Sequence, residues 1–354
     1  MNADQSQQLQ EQVVAAAADG RQLDIQGGNS KRFLGRTPQG DPLAVSEHRG
    51  ILSYEPKELV ITARSGTPLR EIVLTLAENG QMLPFDPPHF GPTATIGGAI
   101  ASGLSGPRRP YSGSARDFVL GARVLNGRGE ILKFGGEVMK NVAGYDVSRL
   151  MTGAMGTLGV LLDVSLKVLP IPAKETTLVI NSTTDEALKQ FNAWSGKPIP
   201  ISAAACDGER AYVRLSGAAT SVDAAAVALG GEILEGGDTF WREKMLEQQH
   251  AFFQGDQALW RISLPPSSPS TGLPGKCLID WGGALRWVRT DQDPAAVFRT
   301  AAGLGGHATR FRGGDRQGDV YQPLSEAAMA IHQRLKRAFD PQAIFNPGRM
   351  YGEL

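Results

Sequence analysis

Three glycine-rich segments hold the residue types with which a chain could grip a flat, anionic ligand. The first is Gln26-Gly27-Gly28-Asn29-Ser30-Lys31, at the end of the short strand-like stretch Leu23–Gln26. Glycines let backbone N–H groups approach anionic oxygens, Asn29 and Ser30 add donors, and Lys31 adds charge. It is neither a Walker A loop, which needs a Gly-Lys-[Ser/Thr] ending, nor a GxGxxG fingerprint. Alone it reads as a tight turn at a strand end. The second segment runs Pro84-Phe85-Asp86-Pro87-Pro88, then Thr95-Ile96-Gly97-Gly98-Ala99-Ile100-Ala101-Ser102-Gly103, then Gly106-Pro107-Arg108-Arg109 and Tyr111–Asp117. Small residues from Gly97 to Gly106 suit a helix start packed against something bulky and flat, or close helix–sheet packing with no ligand. The third is Lys140-Asn141-Val142-Ala143-Gly144-Tyr145-Asp146, followed by Gly153-Ala154-Met155-Gly156-Thr157-Leu158-Gly159-Val160. Its glycines allow backbone to pass against a cofactor, or simply turn the chain from helix to strand.

Single residues say less. Arg108, Arg109 and Arg116 could meet a phosphate or carboxylate bidentately, and at least one reads as a surface ion-pair partner. His307 could orient a substrate; an exposed strand-edge histidine is the commoner case. His89, in Pro87-Pro88-His89-Phe90, reads as a loop residue. The tryptophans 194, 241, 260, 281 and 287 all fall in the middle of the chain, where core packing is the default.

Bulk properties exclude several classes. Lys+Arg and Asp+Glu are 36 each, so nothing electrostatic points to nucleic acid or an anionic membrane. Two cysteines, Cys206 and Cys277, cannot hold a four-cysteine iron–sulfur cluster or a cysteine-rich zinc site, and fit a reduced cytoplasmic setting. The N-terminus lacks the basic and apolar regions of a signal peptide, and no run approaches the ~18 apolar residues of a membrane span. Membrane contact is expected to be peripheral or through a partner. The 43 glycines are clustered, not periodic, so repeat architectures fail.

The elements that position these segments follow from periodicity. A helix is expected over Gln8–Asp19, stopped by Gly20. A strand spans Glu58–Ala63, and Thr67-Pro68 opens a helix whose Leu69, Ile72, Val73, Leu76 and Ala77 share one face. Asn126-Gly127-Arg128-Gly129 joins the strands Phe118–Leu125 and Glu130–Phe134 as a hairpin. Val160–Leu169 is a strand, and Pro170 and Pro172 mark a domain boundary. Beyond it, Thr176–Ile180, Asp185–Trp194, Ala203–Ala205, Ala211–Leu215, Val222–Leu229 and Glu232–Leu234 run β-α-β-β-α-β, the split βαβ order of a ferredoxin-like unit. Further strands follow at Leu259–Leu264, Cys277–Trp281 and Ala284–Thr290, with Pro265–Gly275 as a surface loop. An amphipathic helix, Ser325–Phe339, closes the chain.

In their order, the three segments resemble the vanillyl-alcohol-oxidase, or PCMH-type FAD-binding, superfamily. Gly27–Lys31 matches its first pyrophosphate loop, Thr95-Ile96-Gly97-Gly98 its TIGG segment, and Gly153–Val160 its G-x-x-G-T-L-G-V entry to a strand. The tail, Phe339-Asp340-Pro341 and Ile344-Phe345-Asn346-Pro347-Gly348-Arg349, is similar to the ending of the glycolate and D-lactate dehydrogenase branch. Within that branch the chain is most similar to the FAD-binding E subunits of bacterial glycolate oxidases. Gly305–Arg312 and Tyr145–Leu150 support this. The resemblance covers residues 21 to 170 and 331 to 349.

The resemblance implies an α+β fold. A PCMH-type FAD-binding domain of two α+β subdomains would span 1–172, a smaller ferredoxin-like cap 173–325, and a segment returning to the FAD domain 326–354. It implies FAD contacts from Gln26, Gly27, Gly28, Asn29, Ser30 and Lys31. Further contacts would come from Asp86, Pro87, Thr95, Ile96, Gly97, Gly98, Ala101, Ser102, Gly103, Gly106, Arg116 and Asp117, and from Gly153, Gly156, Thr157, Gly159, Val160 and Asn346. Members that attach FAD covalently carry a histidine near the first loop; here stands Ser30-Lys31-Arg32-Phe33, so the FAD is expected to be non-covalent. Full-length dehydrogenases of the branch carry G-H-x-G-D-G-N-x-H beside a metal; here stands Gly306-His307-Ala308-Thr309, and no metal is expected. Implied partners are a small 2-hydroxy acid, a sister FAD subunit and an iron–sulfur subunit passing electrons to quinone. A stand-alone D-lactate dehydrogenase and a non-catalytic flavin-bearing subunit are the alternatives.

Overall fold

A computed structural model describes residues 3–136 and 146–354. The expected segment Lys140–Tyr145 lies outside them. Leu9, Val13 and Ala16, at helical spacing, bury one face of α1 (Ser6–Asp19), and Gly20 ends it at a φ of 66°. β1 (Leu23–Gln26) pairs in parallel with β2 (Asp41–Ala44). Then come β3 (Ile51–Glu55), β4 (Val60–Arg64), α2 (Leu69–Ala77) and β5 (Gln81–Met82). Three short helices follow: α3 (Ile96–Ser102), α4 (Arg109–Ser112) and α5 (Ala115–Phe118). β6 (Val119–Leu125) and β7 (Ile131–Gly135) form the expected hairpin. α6 (Val147–Leu150) leads to β8 (Val160–Lys167), buried at almost every position, and to β9 (Leu169–Pro170).

These elements make two layers. One core joins α1, β1 and β2 through Leu9, Val13, Leu23 and Leu43. The other lies between the five-stranded sheet β3-β4-β8-β6-β7 and helices α2 and α3, around Leu69, Ile72, Ile96 and Val164. β8 serves both, because Val160 and Leu162 face the first core and Leu161 and Val164 the second.

The cap begins at β10 (Lys174–Asn181). Thr183 and Glu186 form a capping box that starts α7 (Thr184–Ser195). β11 (Ile201–Cys206), β12 (Arg210–Gly217), α8 (Ala219–Leu229) and β13 (Glu232–Ile233) complete the β-α-β-β-α-β order. α9 (Gly237–Thr239) runs into a π-helix, Phe240–Leu246. After β14 (Leu259–Ser263), β15 (Lys276–Asp280) and β16 (Leu285–Arg289) come α10 (Pro294–Gly303) and β17 (His307–Arg312).

The cap is larger than one ferredoxin-like unit. Its eight strands lie in the order β13-β10-β12-β11-β15-β16-β14-β17. Numbered within each half, that is 4-1-3-2 followed by 2-3-1-4. The second half repeats the first in mirror order along the sheet, and Pro265–Gly275 stands where its first helix would be. Proline, serine and glycine cannot sustain that helix, which hid the repeat from a reading by periodicity. The halves join at β11 and β15 through Cys206 and Ile279.

α11 (Glu326–Phe339) returns to the FAD-domain side, with Leu335 and Phe339 against the five-stranded-sheet core. Lys336, buried, donates to the carbonyls of Thr157 and Phe345 and pairs with the Asp340 carboxylate at 2.9 Å. The tail beyond it runs parallel to β1, with Leu23 N–H donating to Ile344 O and Asn346 N–H to Leu23 O.

Candidate functional site

Two adjoining pockets form one cleft between the layers. The inner part, about 540 Å³ including its mouth, is lined by Ile25, Val45, Ser65, Gly97, Met151, Gly159 and Leu161 among others. The outer part, about 580 Å³, is lined by Gly28, Asn29, Ser30, Lys31, Arg32, Thr95, Ser102 and Arg349. Gly27, Gly98, Ala101, Met155 and Asn346 wall both.

The glycines are there because nothing else fits. A Cβ on Gly28 would stand 1.5 Å from Thr93 O, and one on Gly97 would stand 2.5 Å from Ser65 Cβ. Gly103 and Gly153 press backbone to backbone behind the wall. The Gly27–Lys31 turn, with Asn29 at a φ of 57°, aims its N–H groups away from protein acceptors: among the described residues, none of the five donates to one. A row of free donors at a strand end is an anion cradle. α3 differs. Its first N–H groups are already taken by Thr67 O, Ser65 O and Thr95 Oγ1, so it contributes a close, flat surface more than donors.

Asn346, at a φ of 41°, is the keystone. Its side-chain oxygen accepts from Ile25 N–H at 2.7 Å and its amide donates to Met155 O at 2.6 Å, tying β1 to the Gly153–Gly159 turn. Arg349 and Arg316 donate to carbonyls in Arg32–Arg36 and hold the exit of the first loop. Lys31 donates to His89 O at 3.2 Å; burial pushes its amine down to about 8, against the opposing pull of Glu247.

Several expected contacts lie elsewhere. Ile96 and Val160 point into the two cores because they face away from the glycines beside them. Thr157 is buried, donating to Ala154 O. Gln26 bonds Asp24 and Asn29 behind the loop. Asp86 pairs with Arg108 and Arg214 and, with Pro87, faces a separate open groove of about 1600 Å³. Asp117 serves the capping box of Ser114, and Arg116 is exposed. Gly106 belongs to a third cavity, facing the cap, and its carbonyl accepts from Trp281 Nε1 at 3.0 Å. His307 stands at the start of β17, opposite Ser263, with its backbone side open to solvent; desolvation of its ring by neighbouring groups, then the charges of Arg261 and Arg109, push it below its usual value. Ile25, Val45, Ser65 and Leu161 escaped the sequence reading, since nothing local separates a cleft-lining apolar residue from a core one.

Whether a dinucleotide cofactor fits can be asked of the walls themselves. Ser65 Oγ is buried without a partner and faces the inner cleft. Apolar side chains line the inner part, while free N–H groups, Lys31 and Arg32 line the outer. That graded lining suits a molecule with flat rings and a diphosphate.

A two-layer α+β domain with such a cleft, facing a large antiparallel cap, defines an FAD-linked oxidase. Residues 1–135 match the family described as FAD binding domain, and 313–350 match the FAD linked oxidases, C-terminal domain. FAD is therefore the cofactor. The fold is like that of an alkyldihydroxyacetonephosphate synthase, at a TM-score of 0.66 and 14% identity, covering 96% of this chain and 74% of that one. The chain is 52% identical over 351 residues, 99% of each protein, to the glycolate oxidase subunit GlcE of Escherichia coli (strain K12). It is 24% identical to the glycolate oxidase subunit GlcD of Bacillus subtilis (strain 168), covering 96% of this chain and 86% of the relative. Over 40% of this chain and 29% of the relative, it is 33% identical to a D-lactate dehydrogenase of Anaerostipes hadrus. The chain belongs to the GlcE family of FAD-linked oxidase subunits.

Proposed function

We propose that this chain is the FAD-bearing subunit of a glycolate oxidase complex that oxidises glycolate to glyoxylate. The observation that carries the reading is the cleft, whose walls bring together the three glycine segments and Asn346 in a chain similar throughout its length to a glycolate oxidase subunit. Bound FAD would accept the two electrons removed as the hydroxyl-bearing carbon becomes an aldehyde. The Gly27–Lys31 N–H groups and Lys31 would hold its diphosphate, Ser65 Oγ would gain a partner, and Ile25, Val45 and Leu161 would pack on a ring. Among the described residues no His, Cys or Tyr lines the two pockets, which favours a cofactor held without a covalent bond.

The partners are a sister flavin subunit and an iron–sulfur subunit that passes electrons on to quinone. Two cysteines here leave the cluster to another chain. No helix among the described residues is long and apolar enough to cross a membrane. Substrate oxidation on the sister chain, with this flavin as a relay, is the second reading. It is favoured by the lone position of His307, since no group of three His, Cys, Asp or Glu among the described residues could hold a metal ion.

Anaerobic glycolate separates the two. Flavin bleaching in the isolated chain supports oxidation here, and bleaching only after the sister subunit is added supports the relay. A purified chain that never carries flavin ends both.

A further inference from the structure

We propose that the outer flank of the cap, formed by α8 and β13, is the surface on which the sister flavin subunit docks, through an apolar face of its own rimmed by basic side chains. This rests on the proposed function and names where one of its partners sits. The two mirror halves of the cap sheet end differently. One edge strand is β17 and the other is β13. The chain covers the β17 edge itself: Arg310 N–H donates to Val320 O at 2.7 Å, Gln322 N–H donates to Ala308 O at 3.0 Å, and Thr309 bridges to Tyr321. Among the described residues no segment pairs with the outer side of β13.

The helices beside the two edges differ in the same sense. α10 buries Val297, Phe298 and Ala301 and shows solvent Ala295, Arg299 and Ala302. α8 is apolar apart from Thr220, Ser221 and Asp223, yet of its residues only Val222 is buried. A helix apolar on all sides is ordinarily covered on all sides. Val227, near the end of α8, is 85% exposed, and Ile233, just past the Gly230-Gly231 turn, is 70% exposed. These are the two most exposed large apolar side chains among the described residues. Ala224, one turn before Val227, and Ala228 are exposed beside it. Ile233 pairs in register with Leu178, so it carries past the sheet edge the face on which Leu178 meets α7 and α8.

Charge decides which partner fits. Asp223 pairs with Lys174, and Asp238 pairs with Arg242. Glu232 and Glu235, exposed and flanking Ile233 in sequence, make no hydrogen bond or ion pair with any described residue. Two copies of this chain meeting flank to flank would bring unpaired carboxylates from both together, so the surface rejects self. A sister flavin chain of the same family would bring a cap of the same build, able to meet this flank in a near-twofold contact. Its different sequence leaves its rim free to carry the opposite charge.

The test uses the full chain and the full sister flavin subunit, each purified and titrated calorimetrically at low and high salt. Binding should weaken as salt rises. Val227→Arg is expected to weaken it about tenfold or more. Arginine is the better helix former, so flavin content and melting temperature should hold. Ile233→Lys, on the strand, should give the same loss by an independent route. Glu232→Lys combined with Glu235→Lys should weaken binding severalfold and flatten its salt dependence. Arg299→Glu, on the mirror flank, should change nothing. A folded Val227→Arg variant that binds the sister subunit like the unsubstituted protein overturns the proposal, as does an unsubstituted protein that never binds it. Loss of the iron–sulfur subunit alone, or self-association that Val227→Arg abolishes, gives the flank to another occupant and overturns it too. A complex that sheds its sister subunit on Val227→Arg but, when intact, never oxidises glycolate would sink the functional reading and leave this interface standing.

Discussion

The cofactor cleft and the cap cavity are built by opposite means. The cleft is made by leaving side chains out: Gly27, Gly28, Gly97, Gly98 and Gly156 let backbone itself form the wall. The cavity facing the cap is made by putting large ones in: Trp287, Phe311, Met245 and Leu285, with Arg261 and Asp280 as its charged pair of opposite sign. Free N–H groups in a row suit the many oxygens of a diphosphate. A guanidinium suits the two oxygens of a carboxylate. A glycine wall tolerates almost no addition, whereas a side-chain wall can lose one member and keep its shape.

The severest way to break the first wall is Gly28→Ala. With its Cβ 1.5 Å from Thr93 O, the loop must move, and a loss of about 4 kcal/mol or more with no retained flavin is expected. Gly196, with nothing within 4 Å of an added Cβ, is the control; Gly196→Ala should stay within about 0.5 kcal/mol. Thermal unfolding and absorbance per chain read both. Next is Lys336→Met under the cleft floor, which strands the buried Asp340 carboxylate and should cost about 3–5 kcal/mol in denaturant unfolding. Asn346→Ala unties β1 from the Gly153–Gly159 turn and leaves Ile25 N–H and Met155 O unmet. About 1–3 kcal/mol and a weaker grip on FAD are expected.

A smaller effect sharpens the electrostatic side. Lys31 has its amine pushed down to about 8, so the free protein loses this charge as pH rises through 8. An anion beside it holds the proton on. FAD affinity should be level below pH 8 and fall above it, by at most about tenfold per pH unit for one proton, with proton uptake on binding. The groups opposing or shaping this are Glu247, His89 O and the Phe90 ring. Lys31→Met should flatten the profile; a flat profile in the unsubstituted protein would remove Lys31 from the diphosphate. Apart from the Gly196→Ala control, the smallest change is expected from deletion of Ser270–Gly272, in the loop that replaces a helix of the second cap half. It should shift stability by less than about 1 kcal/mol.

Much of the cleft was legible before any coordinates. Glycine runs at strand ends announce themselves because only glycine meets their steric demand, and Thr95 marks its helix start by its own side chain. Contacts such as Ile96 and Val160 were misplaced because neighbours in a motif need not face the same way. Asp86 and Asp117 were drawn into the site by proximity in sequence, while their carboxylates serve an ion-pair network and a helix cap. The second half of the cap stayed hidden because its first helix is missing and β17 carries no clean alternation.

By itself the sequence determined the local steric facts: where backbone must turn left-handed, which helices begin and end, which hairpin forms, and that two cysteines cannot hold a four-cysteine iron–sulfur cluster. Only the tertiary structure decided which pieces meet. Asn346 reaches Ile25 and Met155 across more than three hundred and nearly two hundred residues. Arg261 meets Arg109 over one indole because sheet register and the docking of cap on FAD domain bring them there. Local conformation is set by each residue's own covalent geometry. Sites between domains are set by the summed burial and pairing of distant surfaces, which no window of sequence contains.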